Sequence, residues 1–174
     1  MATALPATRA ALDAALHAAI VADADRLMGL CARMLGNEAD AADALQEAWL
    51  RAWRNRDAFR GDGPAGAWLR AIVVRECLRS LRWRAWTRLL PLSARDDDLA
   101  AATTPAEGGL DAARVRTLVA RLPPRQRVAF NLRHEEGLTV PEIAAAMGLS
   151  TETVKTHLDR ALGRLRSDLG GRDG

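Results

Sequence analysis

The sequence is poor in the residues that build β-sheets and disulfide frameworks. Its 174 residues include no tyrosine, only two cysteines and few isoleucines, whereas alanine and leucine dominate. Alanine and leucine favour helices, and β-branched and aromatic residues favour strands, so the composition predicts an all-α protein. Cys31 and Cys77 lie far apart and form no C-x-x-C pair, which predicts neither a zinc knuckle nor a disulfide framework. A reducing cytoplasm fits this use of cysteine.

Long apolar runs and leader-like segments are also missing. No apolar run reaches about 18 residues, the length that spans a membrane. An alanine-rich stretch near the N-terminus is interrupted by His17 and lacks the basic segment and cleavage site of a signal peptide. We therefore expect no membrane insertion and a cytoplasmic location.

Patterns typical of enzymes are absent as well. The three histidines, His17, His134 and His157, are scattered, and no pairing of a nucleophile with a base is suggested. The glycine-rich stretch from Gly61 to Gly66 lacks the Gly-Lys-Ser/Thr ending of a phosphate-binding loop. The sequence thus predicts no catalytic activity, no cofactor and no metal site.

Charge is concentrated in two basic blocks with an acidic block between them. The net charge is only +3, but residues 60–90 carry seven basic and two acidic groups, and residues 114–174 carry eleven and seven. Residues 91–113 carry one basic and five acidic groups. Two separate basic blocks suit a polyanion bound at two places, because each block can neutralise phosphates and release counterions.

Helical periodicity divides the chain into two parts. Apolar residues recur at helical spacing from Leu12 to Leu35, and Gly36-Asn37 predicts a stop. Further helices are predicted over residues 40–54, 67–86, 113–122 and 125–136, with a loop over residues 59–66. The segment "PLSARDDDLAAATTPAEGGLD" has two prolines, paired glycines and an acidic triplet but no useful helical period. We predict helical domains over residues 10–88 and 112–170, joined by a flexible acidic linker over residues 89–111.

The second part ends in the layout of a helix-turn-helix. Thr139 and Glu142 have the spacing of a capping box at the start of a short helix. Gly148 permits a left-handed residue at the break, and Ser150 is suited to cap the next helix.

The second helix of this pair has one apolar and one polar face. Its predicted buried residues are Val154, Leu158, Ala161 and Leu165. Its predicted outer face carries short hydroxyl groups near the N-terminus and cations further along: Thr151, Glu152, Thr153, Lys155, Thr156 and Arg160. Such a face can enter a major groove, with its first turns at base edges and its cations at phosphates. The alternative is an ordinary amphipathic hairpin whose charged side is solvated.

The helix predicted over residues 40–54 carries a different kind of face. Its outer positions, at i, i+3, i+4 and i+7, are Asp43, Gln46, Glu47 and Leu50, and its core face contains Leu45, Trp49 and Ala52. Two carboxylates, an amide and an apolar residue suit a basic protein partner, and a merely solvated acidic face is the alternative.

The five tryptophans fall into two groups. Trp49, Trp53 and Trp68 are predicted to belong to the core. Trp83 and Trp86 lie among arginines, where aromatic and guanidinium planes can meet phosphates and unpaired bases. An arginine face over a buried indole is an equally open alternative for this pair.

The chain resembles a bacterial sigma factor of the extracytoplasmic-function (ECF) type, in the sigma-70 family. The segment "LPPRQRVAFNLRHEEGLTVPEIAAAMGLSTETVKTHLDRALGRLR" is similar to region four of that family, which reads the minus-thirty-five promoter element. The segment "DAADALQEAWLRAWRNRDAFRG" resembles region two, which binds the polymerase beta-prime subunit. The resemblance implies core RNA polymerase (beta-prime and beta subunits), promoter DNA and an anti-sigma factor as partners.

The resemblance also implies that the loop after residue 58 and the following helix open the minus-ten element. The residues of this chain that fall there are Arg60, Asp62, Arg75, Arg79, Arg82 and Trp83. Many relatives have an aromatic residue where this loop has Ala65, and often Asn and Asp where the next helix has Arg75 and Arg79. The family's minus-ten preference therefore does not transfer to this chain.

A stand-alone LuxR-type transcription regulator is the second hypothesis, because "EIAAAMGLSTETVKTHLDRAL" also resembles that helix-turn-helix. Such regulators usually carry a receiver or ligand-binding domain first. No alternation of strand and helix patterns is found in residues 1–110, which favours the sigma factor.

Overall fold

The computed structural model describes residues 8–61, 63–87 and 110–170, and within these ranges all regular structure is helical. The elements are α1 (Arg9–Leu35), α2 (Glu38–Arg54), a 3₁₀ turn (Arg56–Ala58), α3 (Ala65–Thr87), α4 (Leu110–Ala120), α5 (Pro124–His134), α6 (Val140–Met147) and α7 (Thr151–Gly170). The all-α prediction is confirmed. No helix in the described part of the chain is long and apolar enough to cross a membrane.

The junction between α1 and α2 is set by two adjacent residues. Gly36 adopts the left-handed conformation (φ 84°) and donates its N–H to the carbonyl of Ala32, which ends α1. The side chain of Asn37 accepts a hydrogen bond from the N–H of Asp40 and so begins α2. The predicted stop is therefore also the start of the next helix.

Helices α1, α2 and α3 pack against one another around a common core. Leu27, Leu30 and Met34 of α1 and Leu69 and Val73 of α3 have almost no exposed surface. Burying each side chain of this kind contributes about 1.5 to 3 kcal/mol. Because α2 and α3 each bury one face in this bundle, their opposite faces point outward.

Helices α6 and α7 form the predicted helix-turn-helix. The capping box is present: Thr139 accepts from the N–H of Glu142, and the Glu142 carboxylate accepts from the N–H of Thr139. Gly148 is left-handed at the break (φ 65°), and the Ser150 hydroxyl accepts from the N–H of Thr153 at 3.2 Å. Each of these three local signals at the helix-turn-helix is present in the structure.

The first half of the chain (helices α1 to α3) and the second half (helices α4 to α7) share one hydrophobic core. The cluster that contains Leu30 and Val73 also contains Leu132, Ile143 and Met147 from the second half. Helix α3 contacts α6, and α1 contacts α5. The predicted linker, residues 89–111, lies outside the described residues except for its last two, which belong to α4.

Several sequence-based boundaries and one core assignment differ from the structure. Helix α3 begins at Ala65 inside the predicted loop, and α5 ends at His134 rather than at residue 136. Trp53 is 54% exposed, so its assignment to the core is wrong. It lies on the outer face of α2, three residues after Leu50, and its ring lies 4.9 Å from the Arg56 guanidinium carbon. Trp49 and Trp68 pack against the core as predicted.

Thr139→Ala tests the capping box. The hydrogen bond from the Thr139 side chain lowers the pKa of the Glu142 carboxyl group, and the hydrogen bond from the Thr139 backbone lowers it further. The stabilisation is therefore complete above the ordinary pKa of a glutamate and is lost as the pH falls through the lowered pKa. At neutral pH we expect Thr139→Ala to lower the free energy of unfolding in urea by about 1 kcal/mol, and by less in acid. Ser167→Ala, an exposed position on α7, is the control; equal midpoints for both variants would contradict the prediction.

Candidate nucleic-acid interface

The outer face of α7 has the orientation that the sequence predicted. Val154, Leu158, Ala161 and Leu165 are buried on the opposite side. The exposed predicted residues are Thr151, Glu152, Lys155, Thr156 and Arg160, and Thr153 is half-buried. The face is thus open to a ligand, and its role in DNA binding stays a prediction.

Short hydrogen bonds order the first turns of this face. The hydroxyls of Thr153 and Ser150 are 2.8 Å apart, and the Thr156 hydroxyl donates to the Glu152 carbonyl at 3.0 Å. The Lys155 ammonium donates to the Glu152 carboxylate at 2.7 Å, which raises the pKa of Lys155. The lysine is therefore charged, and a phosphate can replace Glu152 as its partner.

The predicted minus-ten residues lie on α3 and the loop before it. Arg60, Arg75, Arg79 and Arg82 are exposed, and Trp83 is 63% exposed. Asp62 lies outside the described residues. The guanidinium of Arg75 donates to the carbonyl of Ala145 on α6 at 3.0 Å. In this arrangement α3 therefore presents Arg75 to the second half of the chain.

Arg79 belongs to an ion-pair network that sequence reasoning missed. The carboxylate of Glu76, only 3% exposed, contacts Arg79 and Arg51 at 2.7 Å each. Arg79 also reaches Glu47 at 3.6 Å. The only signal in the sequence was a single acidic residue within the apolar run "IVVRECL". This network joins α2 to α3. It includes Arg79, which was predicted to contact the minus-ten element, and Glu47, which was predicted to contact core polymerase.

The acidic face of α2 is otherwise exposed. Asp43, Gln46 and Leu50 face solvent, whereas Glu47 is half-buried because it lies against Arg79. Leu50 is 44% exposed, and the exposed ring of Trp53 continues the same face. The i+3 spacing of Trp53 from Leu50 could have placed it there. The result is an apolar patch beside two acidic groups.

A cleft of about 470 Å³ separates α3 from α7. Its walls include Arg75 and Arg82 from α3 and Arg125 and Arg160 from the second half, and none of the described residues that line it is acidic. Both ring nitrogens of His157 are buried there without a hydrogen-bond partner among the described residues. Burial has the largest effect and lowers the pKa of His157. The positive charges of Arg125 and Arg160 lower it further. This shift favours the neutral imidazole, and among the described wall residues the positive charge comes from the four arginines.

Two protein families match the chain in succession. The family described as Sigma-70 region 2 matches residues 20–87, and Sigma-70, region 4 matches residues 112–165. The RNA polymerase sigma-E factor of Streptomyces avermitilis is 35% identical over 155 residues, which cover 86% of this chain and 82% of that protein. The chain belongs to the sigma-70 family. The ECF RNA polymerase sigma factor SigM of Mycobacterium tuberculosis is 37% identical over 131 residues, covering 75% of this chain and 65% of that protein.

The structure supports the same assignment for the fold. It resembles the sigma factor RpoE of Bartonella quintana, solved in complex with the anti-sigma factor NepR, with a TM-score of 0.72 and 24% identity. The match covers 91% of this chain and 98% of that one.

This protein is thus an RNA polymerase sigma factor of the ECF type. The Glu76 network and the acidic face of α2 fall within its region 2, and the helix-turn-helix falls within its region 4. Because region 2 precedes the helix-turn-helix, the sigma-factor interpretation prevails over that of a stand-alone regulator.

Proposed function

We propose that this sigma factor docks on core RNA polymerase through the outer face of α2 and reads promoter DNA through α3 and α7. It catalyses no reaction itself and acts in the cytoplasm. The observation that carries the proposal is the exposed polar face of α7, whose opposite face is buried in region 4.

The α7 face has the chemistry of a minus-thirty-five reader. Short hydroxyl side chains near the helix N-terminus allow the backbone to approach base edges, and Lys155 and Arg160 extend toward phosphates. The capping box fixes the first turn of α6, and the left-handed Gly148 ends that helix at the turn before α7. Rigid positioning of this kind favours specific contacts over non-specific attraction.

The α2 face suits a protein rather than DNA. Its exposed carboxylate, Asp43, repels phosphates, and Leu50 and Trp53 supply apolar area next to it. Aromatic anchors beside charged groups are typical of binding hot spots in protein interfaces. This face is therefore assigned to the polymerase beta-prime subunit.

The α3 face is assigned to the minus-ten element. Arg60 and Arg82 are exposed cations, and the exposed indole of Trp83 can stack on an unpaired base. Arg79 is tied to Glu76, so it serves the fold of region 2 even if it also contacts DNA. The minus-ten surface is thus smaller than the arginine content of α3 suggests.

An anti-sigma factor is a further proposed partner. The solved relative RpoE is bound to the anti-sigma factor NepR, and the solved relative CnrH is bound to the cytosolic domain of CnrY. The CnrH structure matches with a TM-score of 0.65 at 24% identity. These relatives support a partner of the same kind, although no residue of this chain identifies it.

Reconstituted transcription tests the proposal as a whole. Purified protein added to core RNA polymerase is expected to start transcripts at a matching promoter with no other sigma subunit present. Sequencing the transcripts made from a genomic template would identify the promoters. A protein that bound DNA but started transcripts only with a second sigma subunit would contradict the proposal.

Charge reversal on α2 tests the docking face. Asp43→Arg combined with Gln46→Arg changes two exposed side chains without touching the Glu76 network. We expect affinity for core polymerase, measured by fluorescence anisotropy, to fall about 100-fold, because like charges then meet at the interface. Asp168→Arg with Ser167→Arg makes the same charge change on exposed α7 positions and should leave affinity unchanged. Undiminished binding of the α2 variant would place the docking face elsewhere.

Alanine substitution on α7 tests the recognition face. Lys155→Ala or Arg160→Ala is expected to weaken promoter binding by holoenzyme by roughly 1 to 3 kcal/mol where a base contact is lost. A lost phosphate contact would instead reduce the slope of the logarithm of the binding constant against the logarithm of the salt concentration by about one. Arg116→Ala, an exposed cation on α4, is the control. If both variants bound like the control, this face would not contact the promoter.

A further inference from the structure

The packing of α1 against α3 brings two buried thiols together in region 2. Cys31 of α1 and Cys77 of α3 are 46 positions apart in the sequence, yet their sulfur atoms lie 3.5 Å apart. Both thiols are free, and neither residue has exposed surface. No local spacing predicts this contact, because it depends on how two whole helices pack. The two cysteines therefore form a pair that none of the proposed binding faces uses.

The two sulfur atoms lie close enough for a disulfide to form. Bonded sulfur atoms are about 2.05 Å apart, so the two sulfurs have to approach each other by about 1.5 Å. The Cys77 thiol already donates a hydrogen bond to the Cys31 sulfur, so the two side chains meet across the interface between the helices. A shift of less than about 1 Å for each sulfur is within the reach of side-chain rotation. The pair is therefore arranged as a dithiol in contact rather than as two separate thiols.

The surrounding core protects these thiols in the resting protein. The hydrogen bond to Cys31 raises the pKa of Cys77, and burial raises it further. Because the thiolate is the nucleophile in thiol oxidation, a protonated and enclosed thiol reacts slowly. Oxidation therefore requires a transient opening of α1 from α3, and the reaction becomes faster when region 2 loosens.

The neighbouring thiol determines which product an oxidant leaves. When hydrogen peroxide reaches one thiolate, an S–O bond forms, the O–O bond breaks and hydroxide leaves, which takes up a proton to become water; a sulfenic acid remains. The second thiol then attacks this sulfur: the S–S bond forms, the S–O bond breaks and a second water leaves. Together the two thiols lose two electrons, which the peroxide gains. A partner already in contact makes the second step intramolecular, so it precedes further oxidation to sulfinic acid.

We propose that Cys31 and Cys77 are a redox modification site, at which a peroxide converts the buried dithiol to a disulfide between α1 and α3. The disulfide closes a loop over residues 31–77, which contains the whole of α2. Constraining the unfolded chain in this way stabilises region 2. Formation of the disulfide also withdraws both thiols from irreversible oxidation. Oxidation at this site thus leaves the sigma factor folded and active.

Mass spectrometry of peroxide-treated protein tests the site directly. The full-length chain is treated with hydrogen peroxide in buffer alone and in urea kept below the unfolding transition, which increases the population of open molecules. We expect the intact mass to fall by two hydrogen atoms, a tryptic peptide pair to be linked through Cys31 and Cys77, and the reaction to be faster in urea. Thiols that stay unmodified in both conditions, or that form sulfinic acid without a disulfide, would overturn the proposal.

Single replacements show what each thiol does without its partner. In Cys31→Ala or Cys77→Ala, the remaining thiol should be oxidised to sulfinic or sulfonic acid, because no resolving thiol is in contact with it. Circular dichroism checks that the helices of each variant persist. A remaining thiol that stopped at sulfenic acid under the same treatment would contradict the resolving role of its partner. The linked peptides are sought in the unaltered protein, so that result holds even where a variant fails to fold.

Stability and activity distinguish a protective disulfide from an inactivating one. The oxidised protein should unfold at a higher urea concentration than the reduced protein, with an unfolding equilibrium constant lowered roughly 100-fold, as is typical of a native disulfide. Transcription reconstituted with core polymerase in buffer without reductant should be the same for both forms. A lower urea midpoint, or lost transcription that a thiol reductant restores, would overturn the protective role. Neither the mass nor the urea midpoint involves DNA or polymerase, so failure of the proposed function would leave these results unchanged.

Discussion

A carboxylate almost excluded from solvent is costly unless it is paired, and the ion-pair partners of Glu136 among the described residues all lie across the boundary between the two halves. This constraint links the turn after α5 to α1 and α3. The shared apolar core adds non-directional attraction, but the ion cluster selects one orientation. Together they place the second half against the first, which leaves the cleft between α3 and α7.

Glu76 repeats the same principle inside region 2. It too is 3% exposed and lies between two arginines, which tie α2 to α3. In both places arginine side chains pair with a buried acid. A protein that is rich in arginine therefore divides these residues between its own architecture and its ligand, and only burial and partners distinguish the two uses.

Local signals proved reliable at the helix-turn-helix, where the physical cause is local. The capping box of Thr139 and Glu142, the left-handed Gly148 and the buried stripe of α7 depend on residues within four or so positions of one another. Trp53 shows the limit. A tryptophan side chain is more often buried than exposed. Helix α2, however, packs its opposite face against α1 and α3, and this leaves Trp53 on the solvent side.

The sequence by itself determined the all-α class, the helix-turn-helix, the orientation of the α7 face and the resemblance to the family. These properties follow from short-range spacing, because helical periodicity and capping involve neighbouring residues. Only the tertiary structure decided that Arg79 and Glu47 share a network, that His157 lines a cleft, and that Glu136 meets three arginines. Arg26 and Glu136 are 110 positions apart, and contacts at such separations depend on how whole helices pack, which no local pattern encodes.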